Sequence, residues 1–260
     1  MRDVIRSSDN QIVKKIRRVQ DRKKCPELVY IEGVRIVEDC LKSGGVCDSL
    51  IISERKLDEG MKIASAFNIE DPRICVLDDR LFGKISETVN SQGIALICKC
   101  PQITNSIPLR GGKDIVCVLE NVQDPGNVGT IIRMSDAFDF TAVIITKGTC
   151  DPFGSKALRA SMGSAWHIPV VMFDDEGALF DQLERSGVCS LAMHLRGVPL
   201  PDVDIKFPAA FFIGNEGNGL SEYASSRCLQ MVKIPMPGKA ESLNAASAAS
   251  VIGYELMRRL

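Results

Sequence analysis

At 260 residues, with 32 Lys and Arg against 33 Asp and Glu, the chain is long enough for two modest domains, and its near-zero net charge excludes a protein that grips a polyanion with its whole surface. Ten cysteines with no C-x-x-C pair, and two histidines, His167 and His194, argue against a zinc site, which wants paired ligands at short spacing; the thiols read as reduced core residues and no metal is expected. Met1 to Asn10 lack the apolar stretch of a secretory signal, and no window approaches the ~20 apolar residues of a membrane span, so a cytoplasmic protein with no membrane partner is expected.

Ser8 to Lys24 reads as a basic helix. Ser8 and Gln11 stand at capping-box spacing, and Ile12, Ile16 and Val19 recur at i, i+4, i+7. The other face carries Lys14, Lys15, Arg17, Arg18 and Arg22, followed by Lys23 and Lys24, interrupted only by Asp21. Such a stripe grips phosphates without reading bases, or is simply a solvated face. Short apolar runs then alternate with helical patterns: Leu28–Ile31, helix Val34–Leu41 stopped at Gly44-Gly45, Leu50–Ile52, helix Glu59–Phe67, Ile74–Leu77 and Ile94–Cys98. They make a small α/β domain over residues 1–100. Pro, Asn, Ser and a Gly pair mark residues 101–113 as a linker.

Residues 114–260 repeat the alternation with stronger strands, at Ile115–Leu119, Ala142–Thr146, Pro169–Phe173, Ser190–His194, Ala210–Ile213 and Met231–Ile234. The pattern predicts an α/β fold with a mostly parallel sheet and helices on both faces. Ligands of such sheets sit at the carboxyl ends of strands, which directs attention to the loops after Leu119, His194, Ile213 and Ile234.

The first of these runs from Glu120 to Arg133 through Asp124-Pro125-Gly126-Asn127. It holds no G-x-G-x-x-G and no G-K-[ST], so a dinucleotide or P-loop enzyme such as a dehydrogenase is excluded on spacing. Arg133 is expected about one turn into the following helix, leaning back toward the loop, where a helix start and a guanidinium suit a phosphodiester. The loop after Ile213 reads Gly214-Asn215-Glu216-Gly217-Asn218-Gly219. Its glycines permit close ligand approach, or merely a tight turn. The last, Ile234-Pro235-Met236-Pro237-Gly238, leads through Ser242, Leu243, Asn244 and Ala245 into a helix of small residues ending near Arg259. Ser242 or Asn244 is placed to cap that helix, and the run Ala245–Ser250 suits close packing.

In this order and spacing, N-V-Q-D-P-G-N-V-G-T-I-I-R, F-F-I-G-N-E-G-N-G-L-S-E and V-K-I-P-M-P-G-K-A-E-S-L-N-A-A-S resemble the three signature motifs of the SpoU family of RNA 2′-O-ribose methyltransferases, within the knotted SPOUT superfamily. Arg159 to Ala165 is similar to a family segment that lines the RNA side, with Ser164 where the family usually has Ala. The first forty residues resemble the family's substrate-binding domain, whose fold is akin to a small ribosomal protein, so the likeness covers nearly the whole chain.

The resemblance implies a C-terminal trefoil knot and a homodimer formed through the C-terminal domain. It implies an S-adenosylmethionine pocket made by Gly214, Asn215, Glu216, Gly217, Ile234, Pro235, Met236, Ser242, Leu243, Asn244 and Ala245. Arg133 matches the family's catalytic arginine, with Asn127, Glu216 and Asn244 shaping the site. Lys14, Lys15, Arg17, Arg18, Arg22, Arg133, Arg159 and Ser161 are the candidate RNA contacts. The expected substrate is ribosomal RNA; a transfer RNA enzyme and a non-catalytic RNA-binding relative are the alternatives, distinguished by modification mapping and by cofactor titration.

Overall fold

The computed structural model describes residues 3–260. They form two compact units, residues 3–101 with Phe153–Trp166, and Gln102–Pro152 with His167–Leu260.

In the first unit, strand β1 (Val4–Ile5) precedes helix α1 (Gln11–Gln20), which buries Val13, Ile16 and Val19 on one face. The helix starts two residues beyond the expected Ser8, because Asn10, an equally strong N-cap, accepts from Ile12 N at 2.9 Å. It also ends before the expected Lys24. Arg22 turns back to donate to the carbonyls of Cys25 at 3.3 Å, Pro26 at 3.0 Å and Leu28, fastening the entry to β2 (Leu28–Glu32). There follow α2 (Val34–Lys42), β3 (Cys47–Ser53), α3 (Leu57–Ala66), β4 (Ile74–Leu77), α4 (Asp79–Ile85) and β5 (Ile94–Lys99). The sheet order is β1-β4-β3-β5-β2, with β5 antiparallel to both of its neighbours and the other pairs parallel.

The apolar face of α1 packs against Tyr30, Ile51, Leu77 and Ile97, and burial of each such side chain is worth ~1.5–3 kcal/mol. Glu32 is buried and accepts from Ser86 Oγ and Thr88 Oγ1, both at 2.7 Å, and from Glu87 N at 3.0 Å. Burial opposes the charge, but these donors outweigh it and hold the carboxyl below the usual glutamate pKa.

The second unit is built on β6 (Ile115–Leu119), β7 (Ala142–Thr146), β8 (Val170–Phe173), β9 (Cys189–Pro199), β10 (Ala209–Ile213) and β11 (Gln230–Lys233), with helices α5 (Pro125–Ala137), α7 (Glu176–Arg185), α8 (Glu222–Arg227) and α9 (Ala245–Arg258). Strand order is β11-β9-β10-β6-β7-β8 and every pairing is parallel. Strands β6, β7 and β10 are buried at every position, as a sheet covered on both faces requires. Adjacent residues of β10 show the two faces. Phe212 stacks on Phe180 of α7 with centroids 5.1 Å apart, while Phe211 meets Phe140 edge-on at 5.8 Å.

On the second face α9 packs against α5. Ala246, Ala249 and Gly253 of α9 are buried, and a Cβ at Gly253 would lie 2.8 Å from Met134 Sδ and 3.0 Å from Phe140 Cζ. Small residues therefore set the approach of the two helices. Strand β9 runs past its expected end at His194 to Pro199, because Val198 and Pro199 pair with Val232 and Lys233 after a register shift in β11. The loop expected after His194 is thus strand.

The stretch expected as a linker is tied to the second unit. Met172 N donates to Thr104 O at 2.9 Å, Ile107 joins the core, and Arg110 reaches Asp139 and Phe140 O, each at 2.9 Å. Helix α6 (Ser155–Ser161), by contrast, belongs to the first unit, where it packs on β2. Among the described residues, no helix is long and apolar enough to cross a membrane, and no group of three or more His, Cys, Asp or Glu side chains is arranged to hold a metal.

Candidate active site

At the carboxyl end of β6, Glu120 is buried and donates its backbone N–H to Ile213 O at 2.9 Å. Its carboxylate accepts from Ser221 N at 2.9 Å and from Ser221 Oγ. This pin between the first and second loops is legible in the sequence only as an acidic residue after a strand. Asn215 adds a second tie, donating from Nδ2 to Asn121 O at 3.0 Å while its Oδ1 accepts from Gly217 N at 3.0 Å and Asn218 N at 3.1 Å. Reciprocal backbone bonds join Asn215 and Gly219. A Cβ at Gly214 would lie 2.2 Å from the backbone of Gly219, so this turn closes only over glycine. The glycine cluster is therefore a tight turn as well as a candidate ligand loop.

Glu216 reaches back to the first loop. Its carboxylate accepts from Gln123 N at 3.2 Å, Asp124 N at 3.1 Å and Asn127 Nδ2 at 2.9 Å. Partial burial disfavours its charge, yet these donors prevail and its pKa lies below the usual glutamate value. Asp124 caps α5 by accepting from Gly126 N at 2.6 Å and Asn127 N at 3.1 Å. Asn127 then passes the connection on, its Oδ1 accepting from Asn244 Nδ2 at 2.9 Å, and Asn244 caps α9 through Ala246 N at 2.9 Å and Ser247 N at 3.2 Å.

One direction runs through the whole series. A carboxylate only accepts, so Asn127 must present its amide nitrogen to Glu216 and its oxygen to Asn244. Asn244 must then turn its own nitrogen to Asn127 and its oxygen to the helix. Residues 89 and 117 positions apart in the chain are joined in this way.

The third loop ends at that cap. From Pro235 to Leu243 its backbone enters no hydrogen bond among the described residues, and Leu243 is 40% exposed. Open backbone donors and acceptors beside an apolar side chain fit a flat heterocycle that has a polar edge. Ile234, Pro235, Met236 and Ser242 lie on this connection between β11 and α9, and Ala245 is the first residue of α9.

Arg133 stands a little over two turns into α5 rather than one, since the helix already begins at Pro125. Its side chain is exposed and has no hydrogen bond or ion pair among the described residues. Gly126 and Gly129 share its face toward the helix start, beside Thr130, whose hydroxyl donates to Gly126 O at 2.7 Å.

The other candidates lie in the first unit, and several are already engaged. Lys15 pairs with Asp48. Arg18 donates to Lys24 O at 3.4 Å, and Arg22 holds the three carbonyls described above. Arg159 lies 3.3 Å from Glu87. Ser161 is fully buried and donates to Leu158 O at 2.9 Å, which removes it as an RNA contact; a hydroxyl in the last turn of a short helix bonds its own backbone. Lys14 and Arg17 are exposed, with no partner among the described residues.

A family model described as the SpoU rRNA Methylase family matches residues 114–254, more than half of the chain. The chain belongs to that family. A second model, an MRM3-like substrate binding domain, matches residues 10–96. Along nearly its whole length the SpoU chain is 32% identical to the 23S rRNA (guanosine(2553)-2'-O)-methyltransferase RlmP of Bacillus subtilis, covering 97% of this chain and 98% of that protein. It is also 36% identical over 160 residues to the 23S rRNA (uridine(2479)-2'-O)-methyltransferase of Streptomyces viridochromogenes, covering 59% of this chain and 55% of that one. Among solved structures, the AdoMet-bound rRNA methyltransferase from Sinorhizobium meliloti superposes with a TM-score of 0.85 at 28% identity, covering 99% of this chain and 98% of that chain. The SpoU methyltransferase AviRb from Streptomyces viridochromogenes, in complex with AdoMet, superposes with a TM-score of 0.83 at 26% identity, covering 94% and 97%.

Proposed function

We propose that the chain transfers the methyl group of S-adenosylmethionine to a ribose 2′-hydroxyl of ribosomal RNA. The observation that carries this reading is the bonded series Glu216–Asn127–Asn244, which fastens three distant loops of a SpoU-family chain around one end of the sheet, with Arg133 left unengaged on the same helix as Asn127. S-adenosylmethionine supplies an electrophilic methyl carbon. Gly214, Asn215, Gly217 and the open backbone from Pro235 to Leu243, with Ile234, Ser242 and Ala245, would hold it.

The chain's own residues do the rest. A guanidinium with a pKa above ~12 is a poor base, so Arg133 binds the phosphate next to the acceptor ribose and orients the hydroxyl. It also stabilises negative charge growing on that oxygen, an effect on the order of 3 kcal/mol for one well-placed donor; the hydroxyl proton passes to that phosphate or to solvent, and S-adenosylhomocysteine is the other product. Glu216 and Asn244 do not touch the hydroxyl in this reading. They fix the loops, and the Glu216 charge is already consumed by three donors.

The finer features follow the same reading. Residues 1–100 hold RNA, chiefly through Lys14 and Arg17, and residues 114–260 carry the chemistry. The return from β11, at the sheet edge, to α9, on α5 near the centre, supports a trefoil knot. The exposed Val251 and Tyr254 of α9 support a homodimer through this face. Ribosomal RNA as substrate supports a cytoplasmic location.

The test is ribose-methyl mapping of ribosomal RNA from cells with and without the gene, paired with transfer of labelled methyl groups by purified protein. One mark lost in the deletion and restored by the wild type, but not by Arg133→Ala, is the expected result. Identical maps would refute the reading.

A further inference from the structure

A cavity of about 530 Å³ opens at the carboxyl ends of β6, β7 and β10, within the usual size range of ligand clefts. Asn121 and Asn218 line it, so it adjoins the loops that Glu216 fastens together. Glu120 also lines it, but both of its oxygens are occupied by Ser221. Two charged groups remain. Lys147, just past β7, and Glu176, in the first turn of α7, both line the cavity, and neither has a hydrogen bond or ion pair among the described residues. Glu176 is half-buried. Burial first, then the neighbouring charges of Glu120 and Asp175, raise its pKa, so N–H donors brought to its oxygens would relieve an unfavourable charge.

We propose that this cavity takes the base of the acceptor nucleotide and selects guanine, with Glu176 reading the N1–H and N2–H edge and Lys147 donating to O6. The proposal rests on the ribose methylation read above and adds the identity of the base. A carboxylate offers two acceptors side by side and no donor. Guanine is matched to it, because its ring N1–H and exocyclic amino group are adjacent donors, and O6 beside them accepts from an ammonium. Adenine and cytosine set a ring-nitrogen acceptor beside their amino group, and uracil flanks its one N–H with two carbonyls. Each of those three would turn a lone pair toward the second carboxylate oxygen. A base seated here has left its stack, as recognition of single-stranded RNA ordinarily requires.

The substitution Glu176→Gln replaces two acceptors by one acceptor and one donor, a pattern that suits the other bases better than guanine. Purified full-length wild type, Glu176→Gln and Lys147→Ala are given S-adenosylmethionine and ribosomal RNA from cells lacking the gene. The RNA is digested to nucleosides, and each 2′-O-methylnucleoside is quantified by mass spectrometry. In parallel, each of the four nucleoside 5′-monophosphates is titrated as a competitor. The wild type is expected to form 2′-O-methylguanosine and to be inhibited by GMP at least tenfold better than by AMP, CMP or UMP, the discrimination of a bidentate contact. Glu176→Gln should lose that preference and raise KM for RNA about tenfold with a smaller change in kcat, its melting temperature being unchanged. Lys147→Ala, exposed and remote from the core, should weaken GMP inhibition in the same direction. Methylation of any other nucleoside, or a GMP preference that survives Glu176→Gln, overturns the guanine assignment and leaves ribose methylation standing. If the wild type methylates no ribose at all, the proposed function falls with it.

Discussion

Arg133 and Asn127 lie on one helix and should fail in different ways. Arg133 is exposed and unengaged, so Arg133→Ala should shift stability by no more than ~0.5 kcal/mol and leave calorimetric affinity for S-adenosylmethionine intact. Turnover should fall on the order of 100- to 1000-fold. Parallel loss of cofactor affinity would make the residue structural. Asn127→Ala strips one donor from Glu216 and one acceptor from Asn244; both partners are exposed, so water takes over and the cost is ~0.5–1.5 kcal/mol.

That loss should depend on pH. The folded pKa of Glu216 is depressed by its donors, so the stability it confers is complete above the usual glutamate value of about 4.3 and is lost as pH falls through the lower folded value. Denaturant melts of wild type and Asn127→Ala should therefore differ more at pH 7 than below about pH 4, where only the share from the Asn244 contact remains. A gap that stays constant would mean the Glu216 charge plays no part.

At the scale of elements, the α5–α9 contact is the joint that places Asn244 beside Asn127. Gly253→Val overfills a space where a Cβ already meets Met134 Sδ at 2.8 Å. It should cost ~1–3 kcal/mol and weaken cofactor binding although Gly253 touches no proposed ligand. Unaltered melting and affinity would show that the two helices can separate freely. Strands β2 to β11 were legible as apolar runs and this helix as a run of small residues, whereas the two residues of β1 are too few to stand out. Helix α4 escaped notice because its seven residues are too few to establish a period; its Asp78 cap, 3.0 Å from Leu81 N, was the available signal. The start of α5 at Pro125 is likewise signalled by Asp124-Pro125, a cap followed by proline, which sets Arg133 a little over two turns into the helix. The three loops were readable as ligand loops, whereas the hydrogen bonds joining them depend on a tertiary fold that no local pattern contains.

For the molecule as a whole, the basic stripe of α1 separates into two kinds of residue. Lys14 and Arg17 face solvent unpaired, and replacing both by Ala should lower the slope of log K for RNA against log salt by roughly 1 per residue at unchanged melting temperature. Arg22→Ala should do the opposite, reducing stability through the loss of its contacts to three carbonyls with little effect on the slope. If Arg22→Ala moved only the salt slope, its carbonyl contacts would not persist in solution. Composition alone could not make this division, because the carbonyls that engage Arg22 belong to a turn whose path is set by the strand it enters.

Residues 102–113 have a consequence beyond their own packing. A parallel sheet ends in two open rims, and an open rim is where a stray chain in extended form can attach and start an aggregate. By laying Thr104 along β8, this strap blunts one rim, and the other is the four-residue β11, too short to template much. Cutting the strap should thus appear first as loss of colloidal behaviour during refolding, before catalysis suffers.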